Sequence, residues 1–223
     1  MKKILTITAS FLMLITFIPG VKAQEWNAGL DIYSSYIWRG LKFGTGAAFQ
    51  PSVDFTAGGF TVGAWGSFST GDTEAAEADL YASYSFELGE KASLGLTLTD
   101  YYFPGTAYFE GTSHYIEPMV SLGLGDLSLS AAYMLYDAAP SGSGDLYVQA
   151  AYTAGPVSLT LGGGNGQYSF EDEGEDDAFG ISNIGIGTSK EIKITDSFSL
   201  PISGSIILNP SSEQLFVVVG ISL

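Results

Sequence analysis

The sequence predicts an all-β fold: a single transmembrane, antiparallel, up-and-down β-barrel of about twelve strands. Three observations lead there. Apolar residues alternate with small or polar ones in run after run over residues 30–223. The links between runs alternate between short and long. Acidic side chains recur on the face opposite the apolar one.

The amino terminus is read separately. Lys2 and Lys3 precede an uncharged, mostly apolar run of 15 residues, 4–18. Pro19 and Gly20 break it, and Val21-Lys22-Ala23 offers a small-x-small cleavage site before Gln24. This pattern reads as a secretory signal peptide over residues 1–23. The run is shorter than the ~20 residues a spanning helix needs. Residues 24–223 are then expected to form the barrel.

Composition narrows the class. The chain has 223 residues, with 24 acidic and 8 basic side chains, and a formal charge of −16. Loss of Lys2, Lys3 and Lys22 with the leader makes the remainder more acidic still. Such a charge repels phosphates, so no nucleic-acid partner is expected. The 29 glycines disfavour long helices. The absence of cysteine excludes disulfides and thiolate metal sites.

The runs follow in order. The first puts Leu30, Ile32, Tyr36 and Trp38 on one face and Asp31, Tyr33, Ser35 and Arg39 on the other. The second opposes Phe49, Val53 and Phe55 to Gln50, Ser52 and Asp54. The third opposes Phe60, Val62 and Phe68 to Thr61, Gly63, Trp65 and Ser67. The fourth opposes Leu80, Tyr84 and Phe86 to Glu77, Asp79, Tyr81 and Ser83. Leu94, Leu96 and Leu98 mark the fifth; Ile116, Val120 and Leu122, opposite Tyr115 and Glu117, mark the sixth. The next four centre on Leu129, Val148, Leu159 and Ile186. Ile202 and Ile206 mark the eleventh, and the twelfth runs from Leu215 to Leu223. Most runs approach the ~9–11 residues that cross a bilayer as a tilted strand.

Short turns follow the even-numbered strands, as at Gly58-Gly59, Gly125-Asp126 and Gly155-Pro156. Longer links, rich in Gly, Pro and acid, follow most odd-numbered ones: residues 40–48, 70–76, 103–113, 137–144 and 165–178. The last, 209–213, is short. An outer-membrane barrel alternates in this way because its two rims face different compartments. The apolar face is nearly free of charge along mid-strand, so it is expected to face lipid, with aromatics near strand ends as interface girdles.

With the strands placed, a resemblance emerges. Residues 33–55, YSSYIWRGLKFGTGAAFQPSVDF, and residues 59–67, GFTVGAWGS, resemble the start of the TorF-like porins. The matching residues are Tyr36, Arg39, Gly40, Gly59, Phe60, Gly63, Trp65 and Ser67. The resemblance implies a barrel with a porin role and no defined substrate.

Candidate site residues are those expected to line a pore: Arg39, Asp54, Trp65, Glu77, Asp79 and Glu117. Arg39 is the chain's one arginine. At an outer strand end, facing inward, it is expected to pair with a carboxylate such as Asp54 on the next strand. Trp65, Tyr81, Tyr115, Tyr147 and Phe216 also point inward and would narrow the lumen. Residues 171–177 pack six acids into seven positions. They suit divalent cations only loosely, and a solvated outer loop is the simpler reading. His114, the sole histidine, raises the alternative of a lipid-cleaving barrel enzyme, but neighbouring Ser113 points the other way.

The sequence therefore points to an outer-membrane channel for passive diffusion of small polar or cationic solutes. No enzymatic activity, cofactor or metal is expected. The expected partners are outer-membrane lipid and lipopolysaccharide, the barrel-assembly machinery and small solutes. The competing reading is a closed structural or adhesion barrel with acidic loops.

Overall fold

A computed structural model describes residues 24–71, 75–135, 144–169 and 178–223. The signal-peptide reading over residues 1–23 and the acidic run 171–177 lie outside the described residues.

The described chain is built from fourteen strands. They are β1 (Gln24–Tyr33), β2 (Tyr36–Trp38), β3 (Leu41–Phe43), β4 (Ala48–Ala57), β5 (Phe60–Ser69), β6 (Ala76–Glu87) and β7 (Ala92–Tyr102), followed by β8 (His114–Leu124), β9 (Leu127–Tyr133), β10 (Leu146–Ala154), β11 (Val157–Gly164), β12 (Gly180–Lys193), β13 (Ser199–Asn209) and β14 (Gln214–Ser222). Twelve of them close into one antiparallel barrel in which sequence neighbours pair and β1 meets β14. Strands β2 and β3 stand apart as a two-stranded hairpin.

The alternation sets which face points where. Along β7, Leu96 and Leu98 are exposed outward, whereas Thr97 and Thr99 between them face in. The same holds for Leu80 on β6, Val120 on β8, Leu161 on β11 and Val217 on β14, each exposed on the outer surface. Buried side chains include Gln50, Ser67, Glu77, Asp79 and Glu117 on the inner face. The barrel is thus apolar outside and polar inside, the reverse of a soluble barrel. Outward aromatics gather towards both rims. Trp26 packs on Phe55 and Tyr84 on Phe86 at the short-turn end, and Tyr102 packs on Tyr108 at the long-link end.

The first strand departs from expectation. Its alternation runs in phase through Arg39, but β1 spans Gln24–Tyr33 and the chain then bends at Ser34-Ser35. Ser34 ends the ladder: its N–H donates to the Val219 carbonyl at 2.8 Å, and its hydroxyl accepts from the Val219 N–H at 3.1 Å. Residues 36–43 leave the wall as the separate hairpin, whereas the alternation placed 36–39 on the first wall strand and 40–48 in the link after it.

This bend shortens the closing seam. β1 and β14 share three registered positions, Asp31–Ser222, Ile32–Ile221 and Tyr33–Gly220. Mutual bonds between Leu30 and Leu223 extend it on one side. By contrast, β1 pairs with β4 along its whole length, from Gln24–Ala57 to Tyr33–Ala48. No registered pair joins β1 to residues 214–219 of β14.

A register shift interrupts the β11–β12 ladder at Gly162/Gly163. A Cβ on Gly163 would sit 2.2 Å from the Gly180 carbonyl oxygen and 3.0 Å from the Ile181 Cα. Both are backbone atoms and cannot swing aside. Gly163→Ala should therefore destabilise the barrel by about 1–3 kcal/mol, as overpacking does. A lowered urea midpoint of the detergent-folded protein would report it.

Candidate functional site

The hairpin β2–β3 carries the site. Two-residue hairpin turns favour positive φ at both central residues, because that twist matches the flanking strands. Arg39 (φ 53°) and Gly40 (φ 84°) meet that demand. Glycine takes the conformation freely. Arginine does so at a steric cost, so its contacts must hold it there.

Those contacts cross the lumen. Arg39 Nη1 and Nη2 donate to the two carboxylate oxygens of Glu117 on β8, each at 2.7 Å. Nη1 also donates to the Tyr168 hydroxyl at 2.7 Å, from the short 3-10 turn Gly166–Tyr168. The guanidinium stacks 4.4 Å over Trp38 and 4.6 Å over Tyr147. A second carboxylate contact completes the cluster: the Tyr101 hydroxyl donates to Glu117 at 3.0 Å. This is the fork-to-fork geometry that makes arginine–carboxylate pairs strong and directional.

The turn backbone is held as well. The Ser182 hydroxyl on β12 donates to the Arg39 carbonyl at 3.0 Å, and the Asn209 amide on β13 donates to the Gly40 carbonyl at 3.1 Å. Both donors are fully buried. Nearer the bend, the Tyr36 ring packs 5.5 Å from Trp65 on β5, and its hydroxyl donates to Glu77 on β6 at 3.4 Å. The hairpin thus touches β5, β6, β7, β8, β10, β12 and β13, and it fills the long-link half of the lumen.

The electrostatics fit a fixed charge among neutral rings. Burial acts to lower the Arg39 pKa, but hydrogen bonding to Glu117 and the neighbouring Tyr168 outweigh it, so the guanidinium is held above its usual range. Burial, reinforced by Glu77, pushes the Tyr36 hydroxyl up. Burial likewise raises that of Tyr168, against the opposing pull of Arg39. Both phenols therefore act as neutral partners at physiological pH.

Below the hairpin the lumen opens. A cavity of about 370 Å³ is lined by Tyr33, Thr153, Ser158, Ser203, Ser205 and Val218 among others, small polar side chains for the most part. The interior is a hydroxyl-lined chamber at the short-turn end, capped by the hairpin at the other.

Of the residues singled out in the sequence, Arg39, Trp65, Glu77, Asp79 and Glu117 come together around the hairpin. Asp54 does not. It lies towards the short-turn end, accepting from the Asn27 amide at 3.1 Å, so the expected Arg39–Asp54 pair is replaced by Arg39–Glu117. The reason is the bend at Ser34: once Arg39 leaves the wall, its partner is set by the reach of the hairpin and not by the adjacent strand. Sequence reasoning also missed Tyr101, Tyr168, Ser182 and Asn209 as partners.

His114 sits on the outer face at the long-link rim, paired with Asp100 at 2.8 Å through Nδ1. Its Nε2 lies 2.6 Å from the Tyr108 carbonyl. The register supplies an orienting carboxylate that the sequence did not reveal. The ring nitrogen that a nucleophile would use faces a backbone oxygen. Among the described residues no group of three or more His, Asp or Glu side chains is arranged to hold a metal.

Arg39→Ala would leave Glu117 buried without its counter-charge, a loss of about 3–5 kcal/mol. A double-mutant cycle with Glu117→Gln, read by urea unfolding, should recover most of that loss. Gly40→Ala should unseat the hairpin, because its Cβ would lie 1.7 Å from the Ser182 carbonyl oxygen. Trypsin should then cut faster after Arg39 and Lys42 than in the wild type.

Comparison with curated proteins finds no match. A family model does match residues 21–200, which is most of the chain and includes the hairpin and eleven of the twelve wall strands in whole or part. The chain belongs to the Gcw_chp family of bacterial proteins of unknown function.

Proposed function

We propose that this protein is an outer-membrane channel for small polar or cationic solutes, closed at rest by its luminal hairpin. One observation carries the reading: a closed twelve-stranded barrel whose exposed face is apolar and whose enclosed face is polar. Lipid satisfies the first face and water the second. Rim aromatics suit the two interfaces of a bilayer. On this reading the protein reaches the outer membrane through a cleaved leader, with lipid, lipopolysaccharide and the barrel-assembly machinery as partners. Of the eight residues that carry the resemblance to TorF-like porins, Tyr36, Arg39, Gly40 and Trp65 belong to the hairpin and its seat, and Gly59, Phe60, Gly63 and Ser67 to β5 and the turn before it.

Passage requires the hairpin to leave the lumen. The outer part of β14, paired with β13 but not with β1, gives it a place to go. Residues 34–38 carry the same alternation as β1, and the register Tyr33–Gly220 would set Ile37 opposite Phe216. In that extended state β1 lengthens, the seam closes further and the lumen is free. A specific observation favours the competing reading of a closed structural barrel: the hairpin is held by many buried contacts.

Planar-bilayer recordings separate the two. Wild type should show rare, small, cation-preferring openings, and deletion of residues 36–43 should give a large steady conductance. Silence from both folded proteins would discard the channel. Because the chain has no cysteine, an Ile37→Cys/Phe216→Cys pair tests the extended state directly. Oxidation should hold the channel open. Placement in lipid is checked by Leu96→Arg, which should destabilise the bilayer-folded barrel by about 2–4 kcal/mol if Leu96 lies near mid-bilayer.

A further inference from the structure

The mouth of the long-link end contains a second feature that the hairpin's closure does not explain. Between the hairpin and the wall lies a cavity of about 160 Å³, walled by the rings of Trp38, Phe43, Tyr101, Phe103 and Tyr115, with Glu77 in its lining. A cavity of about 150 Å³ is large enough to hold a benzene-sized molecule. Aromatic faces carry negative potential, and a carboxylate among them adds a full charge.

The charge balance beneath the cavity is unresolved by the protein itself. Glu77 and Asp79 lie two residues apart on the inner face of β6, both more than nine-tenths buried. The ion pairs among the described residues are Arg39–Glu117, His114–Asp100 and Lys193–Asp196, so neither acid has a basic partner. Glu77 receives one long hydrogen bond from Tyr36, and the Glu77 and Asp79 carboxyl groups hydrogen-bond to each other. Asp79 Oδ1 is buried with no hydrogen-bond partner at all. A carboxyl pair that shares one proton keeps one negative charge, and here that charge has no basic partner, so the arrangement favours a cation from outside the chain.

The walls decide which cation. A hard metal ion takes six to eight oxygens, and this cavity offers mostly ring faces. A primary ammonium on a short apolar or aromatic stem matches every part. Its stem fills the aromatic box, its charge lies against the rings, and its N–H groups donate to Glu77, the carboxylate in the lining. We propose that this cavity is a binding site for small primary amines with an apolar stem. The inference rests on the channel reading only in naming the solute class; the site itself needs no conduction.

Titration of the detergent-folded full chain with benzylamine and benzyl alcohol tests it, read by calorimetry and by tryptophan fluorescence in a Trp26→Phe/Trp65→Phe background that leaves Trp38 as the reporter. The amine should bind and quench, and the alcohol should bind at least about tenfold more weakly, since it lacks the charge-assisted bonds. Glu77→Gln should weaken the amine by a similar factor and leave the alcohol unchanged. Should Glu77→Gln fail to fold, Phe103→Ala removes one wall without touching the buried acids and should weaken the amine severalfold. Equal affinity for amine and alcohol, absence of amine binding at millimolar concentration, or indifference to both substitutions would overturn the proposal. Amine binding without conductance would remove the channel and keep the site. Conductance without amine binding would do the reverse.

Discussion

Glu117 lies buried on the inner wall of β8, and without Arg39 its charge would face phenol rings and backbone with nothing to offset it. The arginine answers with two parallel hydrogen bonds, and in doing so it fixes the position of the turn that carries it. Most else inside the barrel follows. The strained φ at Arg39 is tolerated because the guanidinium is clamped. Gly40 can press against β12 because it has no side chain. Tyr36 and Trp38 are drawn into the lumen, although their alternation would suit them to the outer surface. Tyr101, Tyr147 and Tyr168 then close around the charge as neutral rings.

The interior is therefore divided. The half beside the short turns is lined by serine, threonine and glycine and leaves room. The half beside the long links is crowded with aromatic rings, three buried acids and a single cation. The proposed channel, shut at rest, would draw on both halves: the cluster to hold the hairpin and the chamber to hold water.

The wall was legible in the sequence because period-two alternation reports a two-sided surface directly, and because the link lengths separate one rim from the other. Twelve strands and the direction of the apolar face both follow from this. The hairpin was hidden by the same signal. Leu30, Ile32, Tyr36 and Trp38 stay in phase across Ser34-Ser35, so nothing in the periodicity announces a bend. The local cue is Gly40 within Tyr-Ile-Trp-Arg-Gly-Leu-Lys-Phe, at the second turn position where a two-residue hairpin favours glycine, but Arg39 at the first is not a residue such turns prefer. The Arg39–Glu117 pair was out of reach because the two residues are distant in sequence and no strand register links them. The Asp100–His114 pair, by contrast, follows from the β7–β8 register once strand ends are known: Asp100 lies opposite Ile116, two positions along β8 from His114.

The short joint between the first and last wall strands bears on how such a cylinder is made and undone. Every other neighbouring pair is a local hairpin or near-hairpin, quick to form because little chain separates its halves. Only β1 and β14 must find one another across almost the whole polypeptide, and they are rewarded with a few backbone bonds. Loop closure over nearly the whole chain makes that joint the costliest to form. With the fewest registered pairs of any in the wall, it is where the cylinder is expected to part under force or denaturant.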